Sequence, residues 1–503
     1  MPTLAAIDIG SNAIRLVIGS VDANRTLQII ENIREPVRLG QDVFTKGIIT
    51  EETLAKAEDA FVKFKTLIAA HDAKWTRAVA TSAVRESMNR ELFIDRMEQA
   101  SGIEISVITG EEEARLIHLA VGSKIPLKNK RAMLVDIGGG SVEITLVTDG
   151  QILSTESYKM GSVRLLQVLE EKKHGEKQFN QLVREYVDAT QKRMRKELGK
   201  ETIDLCVGTG GNIEALGELR KELFGKEKNT VIAIDELDAI AKKLQGMTYE
   251  ERVHQLRLRP DRADVIVPAT VVLQKIARQA GVEEVQIPSV GLKDGLLVDL
   301  MQEMYGEKKI SSRDQVITSA LQVGRKYAFD EQHGLAVARY ATQLFDETRS
   351  LHNLSIDYRL LLEVAALLHD IGHFIHMIGH HKHTLYLLLA TPIIGLSKEQ
   401  MMLVANVARY HRKSHPKPQH EFYNILSSKE RLIVNKLAAI VRLADAMDNE
   451  HASKVATFSV EYKKPKFIMK LEGEGDLLLE KWALMKKSEM FEEVFSVQFT
   501  LDE

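Results

Sequence analysis

Two short turns, 128 residues apart, place an aspartate, glycines and a serine in the same order after an apolar run. The first is Asp8-Ile9-Gly10-Ser11-Asn12, and the second is Asp136-Ile137-Gly138-Gly139-Gly140-Ser141. Glycine lets the backbone approach a ligand closely, so that successive N–H groups can point at phosphate oxygens. An aspartate at a strand end can hold a hydrated magnesium ion beside those phosphates. Used together, the two turns predict a phosphate clamp that works with Mg²⁺.

A third glycine turn, Gly208-Thr209-Gly210-Gly211-Asn212, follows the apolar run Leu205–Val207 and precedes a helical pattern. Such a turn suits an anion or a nucleotide at a helix N-terminus, which makes Gly208 and Gly210 candidates for phosphate binding. A turn between a strand and a helix can also need glycine only for close packing. The sequence leaves both interpretations open.

Histidines are concentrated in one region, since nine of the 16 lie between His369 and His420. His369 and Asp370 are adjacent at the end of an apolar helical pattern. Imidazole and carboxylate ligands from several helices suit a divalent transition metal with open coordination positions. The other candidate ligands are His333, His383, His411 and Asp445. The alternative is that these histidines are ordinary core residues of a scaffold domain.

The first 300 residues alternate short apolar runs with helical patterns, which predicts an α/β fold with buried sheets. Helices are expected at Glu51–Ala70 and Glu111–Val121. Because the Asp8 and Asp136 turns share a strand–turn–strand context, we interpret them as an internal duplication with a ligand cleft between the halves. The predicted strands are Leu4–Ile9, Ala13–Ser20, Leu27–Asn32, Ala78–Ala80, Ile105–Ile108, Ala132–Asp136, Glu143–Val147, Ile152–Tyr158 and Ile203–Val207.

The pattern changes near Tyr305, where Gly306 and the polar run Glu307-Lys308-Lys309 predict a linker. Apolar residues then recur at helical spacing as far as residue 450, which indicates an all-helical domain. The remainder predicts a hairpin around Lys463–Lys466, a helix at Leu477–Lys487 and a strand at Val494–Thr500. The expected domains are 1–124 and 125–305 (the two α/β halves), 312–452 (helical) and 453–503 (a small α+β cap).

Composition predicts a cytoplasmic protein that binds neither nucleic acid nor a membrane. The net charge is −3, and no apolar run approaches the roughly 20 residues that span a bilayer. A single cysteine, Cys206, excludes an internal disulfide. Three basic clusters could line a path for a polyanion or could be solvated helix faces: Lys128, Lys130 and Arg131; Lys192, Arg193, Arg195 and Lys196; Arg257, Arg259 and Arg262.

Seven motifs along residues 1–300 together resemble the exopolyphosphatase and guanosine-pentaphosphate phosphohydrolase (Ppx/GppA) family. That family belongs to the actin, chaperone and sugar-kinase superfamily, so the resemblance implies two duplicated actin-like (ribonuclease H-like) domains. A homodimer is also expected. The motifs are Ala6–Arg15, Ala80–Glu86, Ile108–Ile117, Val135–Glu143, Gly161–Leu165, Gly208–Leu216 and Gly291–Leu297.

The resemblance also implies roles for individual residues. Glu113 matches the carboxylate that activates the attacking water, and Arg85 matches an arginine that contacts phosphate. Asp136 and Glu143 match the acidic pair that helps to hold magnesium, beside Asp8. A glutamate in the first turn of a helix is also a common capping residue, and we assign that role to Glu111 and Glu112.

The order of ligands in the helical domain resembles the HD metal-dependent phosphohydrolase superfamily. The resemblance implies a minimal metal set of His333, His369, Asp370 and Asp445, with His383 and His411 as the extra ligands of a two-metal site. The metal would be Zn, Mn, Fe or Ni. We expect His373, His376, His380 and His381 to be surface residues or to lie behind the ligands.

The leading hypothesis is an exopolyphosphatase that releases orthophosphate from chain ends of inorganic polyphosphate. The alternative is the same reaction on guanosine pentaphosphate, which gives the tetraphosphate. A third hypothesis is a protein that senses such a nucleotide and has a separate phosphohydrolase activity in its helical domain. A kinase or chaperone is disfavoured, because the sequences of Ala80–Glu86 and Gly110–Ala114 resemble those of the phosphatases.

Overall fold

The computed structural model describes residues 1–170, 181–182, 185, 188, 202–306 and 308–502. The chain divides into two compact units, Met1–Lys309 and Ile310–Glu503. The basic cluster Lys192–Lys196 lies outside the described residues.

Five strands of the first unit form a sheet in the order β3-β2-β1-β4-β5. β1, β2 and β3 are antiparallel neighbours, whereas β4 and β5 continue the sheet parallel to β1. All but the first residue of β1 are buried, because helices pack on this sheet and the strand reads as an apolar run. The strands are β1 (Thr3–Ile9), β2 (Ile14–Val21), β3 (Leu27–Glu35), β4 (Trp75–Ala80) and β5 (Ile105–Val107).

The second sheet repeats this plan. Its order is β10-β11-β9-β6-β7-β8, in which β6, β7 and β8 are antiparallel neighbours and β9 and β11 continue parallel to β6. The order and directions of five strands are therefore the same in the two sheets, as an internal duplication predicts. The strands are β6 (Arg131–Ile137), β7 (Val142–Thr148), β8 (Gln151–Tyr158), β9 (Leu205–Thr209), β10 (Val231–Ala233) and β11 (Glu284–Gln286).

Each sheet of the first unit has its own apolar core, built from the sheet and the helices that follow its strands. The helices are α1 (Leu39–Lys46), α2 (Glu51–Ala70), α3 (Ser82–Glu86), α4 (Arg90–Ser101), α5 (Gly110–Gly122), α6 (Ser162–Glu170), α7 (Gly211–Phe224), α8 (Ile234–Gln245), α9 (Tyr249–His254), α10 (Pro260–Ala263), α11 (Ile266–Ala280) and α12 (Leu292–Met304).

Helices dominate the second unit as far as residue 446. They are α13 (Lys308–Lys326), α14 (Glu331–Glu347), α15 (Arg349–His352), α16 (Asp357–Leu367), a 3₁₀ turn (Ile371–Phe374), α17 (His380–Ala390), α18 (Lys398–Arg409), α19 (Glu421–Asn424) and α20 (Ser428–Ala446). α13 begins at Lys308, so the polar run expected to be a linker enters a helix.

The C-terminal segment forms a three-stranded sheet with two helices: β12 (Val455–Lys463), β13 (Lys466–Gly473), α21 (Leu478–Lys487), α22 (Glu489–Phe495) and β14 (Gln498–Leu501). The last strand is shorter than the predicted Val494–Thr500, because α22 occupies the start of that range. Buried residues of this sheet, such as Phe467 and Phe499, belong to the same core as the helices from α13 onward. The second unit therefore has one core.

No helix in the described parts of the chain is both long enough and apolar enough to cross a bilayer.

Candidate functional site

The two aspartate turns occupy equivalent positions in the two sheets. In the first half, Asp8 at the end of β1 pairs in register with Arg15 of β2. In the second half, Asp136 at the end of β6 pairs with Glu143 of β7. The same position therefore carries a guanidinium in one half and a carboxylate in the other, so the second half supplies the acidic pair that a cation requires.

The glycine turns of the two halves are in direct contact. A Cβ placed on Gly139, in the second half, would lie 3.0 Å from Cβ of Ser11, which is hydrogen-bonded through Oγ to Ser82 Oγ of the same first half at 3.0 Å. A Cβ placed on Gly140 would lie only 2.1 Å from Ser82 Oγ, so the loop of the second half can approach the first half only with glycine at this position. Backbone N–H groups from both halves can therefore reach one phosphate chain.

Most residues predicted to form the clamp surround one pocket between the two halves. From the predicted set, the lining residues are Asp8, Gly10, Ser11, Asn12, Glu113, Asp136, Gly138, Gly139, Gly140, Ser141 and Gly210. Gly208 is an exception. It lies within β9, where a Cβ would lie 2.9 Å from Ile213 and 3.0 Å from Val285. In this structure Gly208 allows close packing in the core, and its part in phosphate binding stays a prediction.

Glu113 reaches the pocket because α5 begins at Gly110. Thr109 caps the helix, its hydroxyl oxygen accepting from the Glu112 N–H at 3.3 Å. A Cβ on Gly110 would lie 2.8 Å from Ser157 Cβ, so this glycine brings the first turn of α5 close to β8. Glu113 is 6% exposed, and its carboxylate oxygen lies within 4.8 Å of carboxylate oxygens of Asp136 and Glu143.

Burial raises the pKa values of all three carboxyl groups, and charged neighbours raise them further. Burial, and then the charges of Glu143 and Asp136, raise the pKa of Glu113 well above its ordinary range. Burial raises the pKa of Asp136 to about 6, and burial together with Asp136 raises that of Glu143 to about 7. Three buried carboxyl groups with raised pKa values will all be ionised near neutral pH only if a cation binds between them.

Two hydroxyl groups that sequence reasoning missed orient the acidic pair. Thr209 donates from Oγ1 to Asp136 Oδ1 at 2.6 Å, and Ser157 donates from Oγ to Glu143 Oε1 at 2.8 Å. Glu113 Oε2 and Glu143 Oε2 are buried and accept no hydrogen bond from the described residues. Converging, unsatisfied carboxylate oxygens are the ligands that a hard cation prefers, so the residues present fit Mg²⁺.

Asp8 and Arg85 adjoin this group without belonging to it. Asp8 lines the pocket but is outside the set of three close carboxylates, and its Oδ2 lies 3.9 Å from Arg15 Nη1. Arg85 donates from Nη1 to the carbonyl oxygen of Ile108 at 2.5 Å, and the same nitrogen lies 3.8 Å from Glu113 Oε2. Arg85 therefore faces the predicted base.

A second cluster lies within the helical unit, where four predicted ligands converge. His369 Nε2 lies 3.6 Å from Asp445 Oδ1 and 3.7 Å from Asp370 Oδ2. His333 Nε2 lies 3.2 Å from His369 Nε2. All but Asp370 are at least nine-tenths buried. Imidazole and carboxylate groups this close together are ligands that could hold a transition-metal ion.

Hydrogen bonds fix the imidazole tautomers in this cluster. A carbonyl oxygen can only accept, so His369 Nδ1 donates to Ala366 O and His411 Nδ1 donates to Ala408 O, each at 2.7 Å. His333 Nδ1 contacts Asp448 Oδ2 at 2.8 Å. In a neutral ring, this arrangement leaves Nε2 as an electron-pair donor, as metal-binding histidines require.

The structure brings His380 against Asp370 and His411, the place expected of His383, and the assignment of His383 as a ligand stays a prediction. His380 Nε2 lies 3.1 Å from Asp370 Oδ1 and 3.2 Å from His411 Nε2, and His373 Nε2 lies 2.6 Å from His380 Nδ1. The packing of the 3₁₀ turn against α17 places His380, and not His383, next to Asp370. A Cβ on Gly372 would lie 2.0 Å from the His380 carbonyl oxygen, so the first residue of α17 is held against the turn after Asp370. His383 is one turn further along the helix.

The comparisons with known proteins define the class. Residues 17–304 match the model of the Ppx/GppA phosphatase family, and residues 316–492 match the model of domain III of the same family. The chain therefore belongs to the Ppx/GppA phosphatase family. The α/β actin-like fold of the N-terminal part and the helical region after it are confirmed. The HD-type assignment of that region stays a prediction.

The relatives of this chain include proteins named as guanosine-5'-triphosphate,3'-diphosphate pyrophosphatases and a protein named as an exopolyphosphatase. The guanosine-5'-triphosphate,3'-diphosphate pyrophosphatase of Photobacterium profundum is 26% identical over 423 residues, which cover 82% of this chain and 81% of the relative. The protein of the same name from Aliivibrio fischeri is 26% identical, with 92% of each chain covered. An exopolyphosphatase crystal structure from Cytophaga hutchinsonii has 26% identity and a TM-score of 0.56, and covers 60% of this chain and 98% of that one. A crystal structure of the Aquifex aeolicus family member has 25% identity and a TM-score of 0.53 over the same shares.

Proposed function

We propose that the cleft of residues 1–309 hydrolyses the terminal phosphoanhydride bond of inorganic polyphosphate and releases orthophosphate. The observation that carries this proposal is the buried group of Glu113, Asp136 and Glu143 at the end of a pocket lined by two glycine turns. Phosphoanhydride hydrolysis needs charge neutralisation and an oriented water more than it needs covalent chemistry. The cleft offers both.

Each part of the cleft has a task in this reaction. N–H groups of the turns at Gly10–Asn12 and Gly138–Ser141 bind the oxygens of the terminal phosphates. Asp136 and Glu143 would hold magnesium, which would supply positive charge to the phosphoryl oxygens. Glu113 orients a water molecule and takes its proton on Oε2, the oxygen that has no hydrogen-bond partner among the described residues. Arg85 lowers the pKa of that carboxyl group, against the larger effect of burial.

Guanosine pentaphosphate is the second candidate substrate, because it presents a terminal phosphoanhydride to the same cleft. The relatives that match along most of this chain are named for it, whereas the solved exopolyphosphatase covers 60% of the chain. This support is at least as strong as that for polyphosphate. An experiment that separates the two substrates measures orthophosphate release from long-chain polyphosphate and from guanosine pentaphosphate, side by side at equal magnesium. Release from neither would contradict the proposal.

The helical unit supports a separate proposal, a bound transition-metal ion held by His333, His369, Asp370 and Asp445. Its support is the convergence of ring nitrogens whose Nδ1 atoms are already hydrogen-bonded. The ring of His411 and, in place of His383, that of His380 would complete a second position. Elemental analysis of protein purified without chelator tests this proposal, and metal-free protein would refute it.

A further inference from the structure

The carbonyl groups of the turn Gly138–Ser141 are bound by the start of α6. Backbone N–H groups at this helix start, which have no partner inside the helix, donate to three of the carbonyl oxygens. The bonds run from Gly161 N–H to Gly140 O (3.3 Å), from Ser162 N–H to Gly138 O (3.0 Å), and from Val163 N–H and Arg164 N–H to Gly139 O (2.9 and 3.0 Å). The turn is therefore held on its carbonyl side.

The direction of these carbonyl groups fixes the direction of the neighbouring N–H groups. A peptide unit is planar and trans, so its N–H points opposite to its C=O. The N–H groups of Gly139, Gly140 and Ser141 therefore point away from the start of α6. All three residues line the catalytic pocket. Their N–H groups are thus left available to a ligand in that pocket.

Glycine at position 161 allows the helix start to stack on the turn. A Cβ on Gly161 would lie 2.4 Å from the carbonyl carbon of Gly140 and 2.4 Å from the backbone nitrogen of Ser141. The next residue, Ser162, adds a bond from its Oγ to Gly138 O at 3.3 Å. No larger residue fits at position 161 without moving the turn, so the turn and the helix start pack as one piece.

The Arg164 side chain connects this piece to the first half of the unit. Its Nε donates to Gly140 O at 2.7 Å, and its Nη2 donates to Glu86 Oε1 at 2.6 Å. Its guanidinium carbon also lies 4.0 Å from the ring centre of Phe44, within reach of a cation–π interaction. Glu86 and Phe44 belong to the first half, and Glu86 follows Arg85, which faces the predicted base.

We propose that Arg164 is a positioning residue of the cleft, which holds the Gly140 carbonyl group so that the turn presents its N–H groups to substrate phosphate and which fixes the turn against the first half through Glu86. This inference rests on the proposed function, because the turn is taken to bind phosphate oxygens. Without its Arg164 donor, the Gly140 carbonyl group is less firmly held and is freer to rotate toward the pocket. A carbonyl oxygen that points into the pocket repels a phosphate oxygen.

The two side-chain bonds of Arg164 require arginine. They leave two different nitrogen atoms of one planar fork, and the single ammonium group of lysine cannot reproduce both. Arg164→Lys therefore keeps the positive charge beside Glu86 but loses the geometry that holds Gly140. This substitution separates positioning of the turn from simple charge pairing between the halves.

Lys159 supplies a matched control, because it pairs with the other oxygen of the same carboxylate. Its Nζ lies 3.1 Å from Glu86 Oε2, and its side chain is 71% exposed, compared with 14% for Arg164. Lys159→Gln removes one charge from the pairing between the halves and leaves the Arg164 donor to Gly140 in place. Its effect therefore measures the contribution of ion pairing.

The first test is calorimetric binding of a triphosphate whose bridging oxygens are methylene groups, with Mg²⁺ present. We expect Arg164→Lys to bind about tenfold more weakly than the wild type, because the misdirected turn loses a hydrogen bond to a charged oxygen. Glu86→Gln should weaken binding less, and Lys159→Gln should bind as the wild type does. If Arg164→Lys does not fold, Arg164→Gln takes its place with the same expected loss.

The second test is the kinetics of orthophosphate release by the same proteins. Arg164→Lys should raise KM about tenfold. It should leave the acidic limb of the pH profile of kcat in place, since Glu113 is unchanged. A partly unfolded sample would lower kcat and keep KM, so this comparison distinguishes positioning from a general loss of structure.

Three outcomes separate this inference from the proposed function. Equal triphosphate affinity for Arg164→Lys and the wild type would overturn the inference and leave the proposed function standing. The expected order of affinities in a protein that cleaves neither polyphosphate nor guanosine pentaphosphate would refute only the proposed function. A wild-type protein that does not bind the triphosphate would refute both.

Discussion

Nη1 of Arg85 lies 3.8 Å from Oε2 of Glu113, a buried oxygen that accepts no hydrogen bond from the described residues. The guanidinium lowers the pKa of a carboxyl group that burial, Glu143 and Asp136 all raise. Arg85 is therefore a positive charge that favours the ionised form of the predicted general base, although burial and the two neighbouring acids have the larger effect.

The first prediction follows from this pair. Arg85→Gln should move the acidic limb of the pH profile of kcat to higher pH, because the base is active when deprotonated and loses the cation that lowers its pKa. Arg85→Lys, which keeps the charge, should move the limb less. Superimposable profiles for the wild type and Arg85→Gln would show that Arg85 has another role.

The second prediction concerns magnesium and pH. The pKa values of Asp136 and Glu143 are raised by folding to about 6 and about 7, so the metal-free protein loses stability as pH rises from the unfolded values toward these folded values. A cation that binds the ionised pair offsets this loss. Mg²⁺ should therefore raise the thermal unfolding temperature more at pH 8 than at pH 5.5. Glu143→Gln should abolish most of the difference, and an equal increment at both pH values in the wild type would contradict the site.

The third prediction concerns the contact between the two halves. Gly140→Ala should lower the free energy of unfolding by about 1–3 kcal/mol and inactivate the cleft, because the added methyl group overlaps Ser82. Gly122→Ala is the control, since a Cβ there would meet no atom within 4 Å among the described residues outside its own stretch of helix. Urea denaturation of both variants measures the effect. Equal stabilities would mean that the two loops do not touch.

The fourth prediction distinguishes His380 from His383 as a metal ligand of the helical unit. His369→Ala and His380→Ala should reduce the transition-metal content of purified protein, whereas His383→Ala should leave it unchanged. The reason is that His380 Nε2 faces Asp370 and His411, as the 3₁₀ turn at Gly372 dictates. Metal lost with His383→Ala and kept with His380→Ala would restore the assignment made from sequence.

Local signals predicted much of this architecture. The apolar runs before Asp8 and Asp136 and the helical periodicity of Glu51–Ala70 each depend on neighbours in sequence, and the structure has strands and a helix at these places. The role of Thr209 depends on a contact between residues 73 positions apart, which no local pattern encodes. His380 and His383 lie on similar faces of one helix, one turn apart. The packing of Gly372 against the helix start brings His380, the residue nearer that start, next to Asp370.

Gly208 and Gly210 show, within a single turn, that a local sequence pattern does not predict which residue faces a ligand. Both are glycines in one motif, but Gly208 is still inside β9 and packs against Ile213, whereas Gly210, with φ of 96°, lines the pocket. A difference of two residues decides between a packing role and a ligand-facing role.

The central claim is that Glu113 activates water in a cleft that binds a terminal phosphoanhydride. Orthophosphate release by Glu113→Gln, compared with Glu111→Gln from the same helical turn, tests it most directly. We predict that Glu113→Gln keeps its fold and its affinity for substrate but loses roughly two to four orders of magnitude in turnover, while Glu111→Gln stays close to the wild type. Turnover by Glu113→Gln near that of the wild type would contradict the claim.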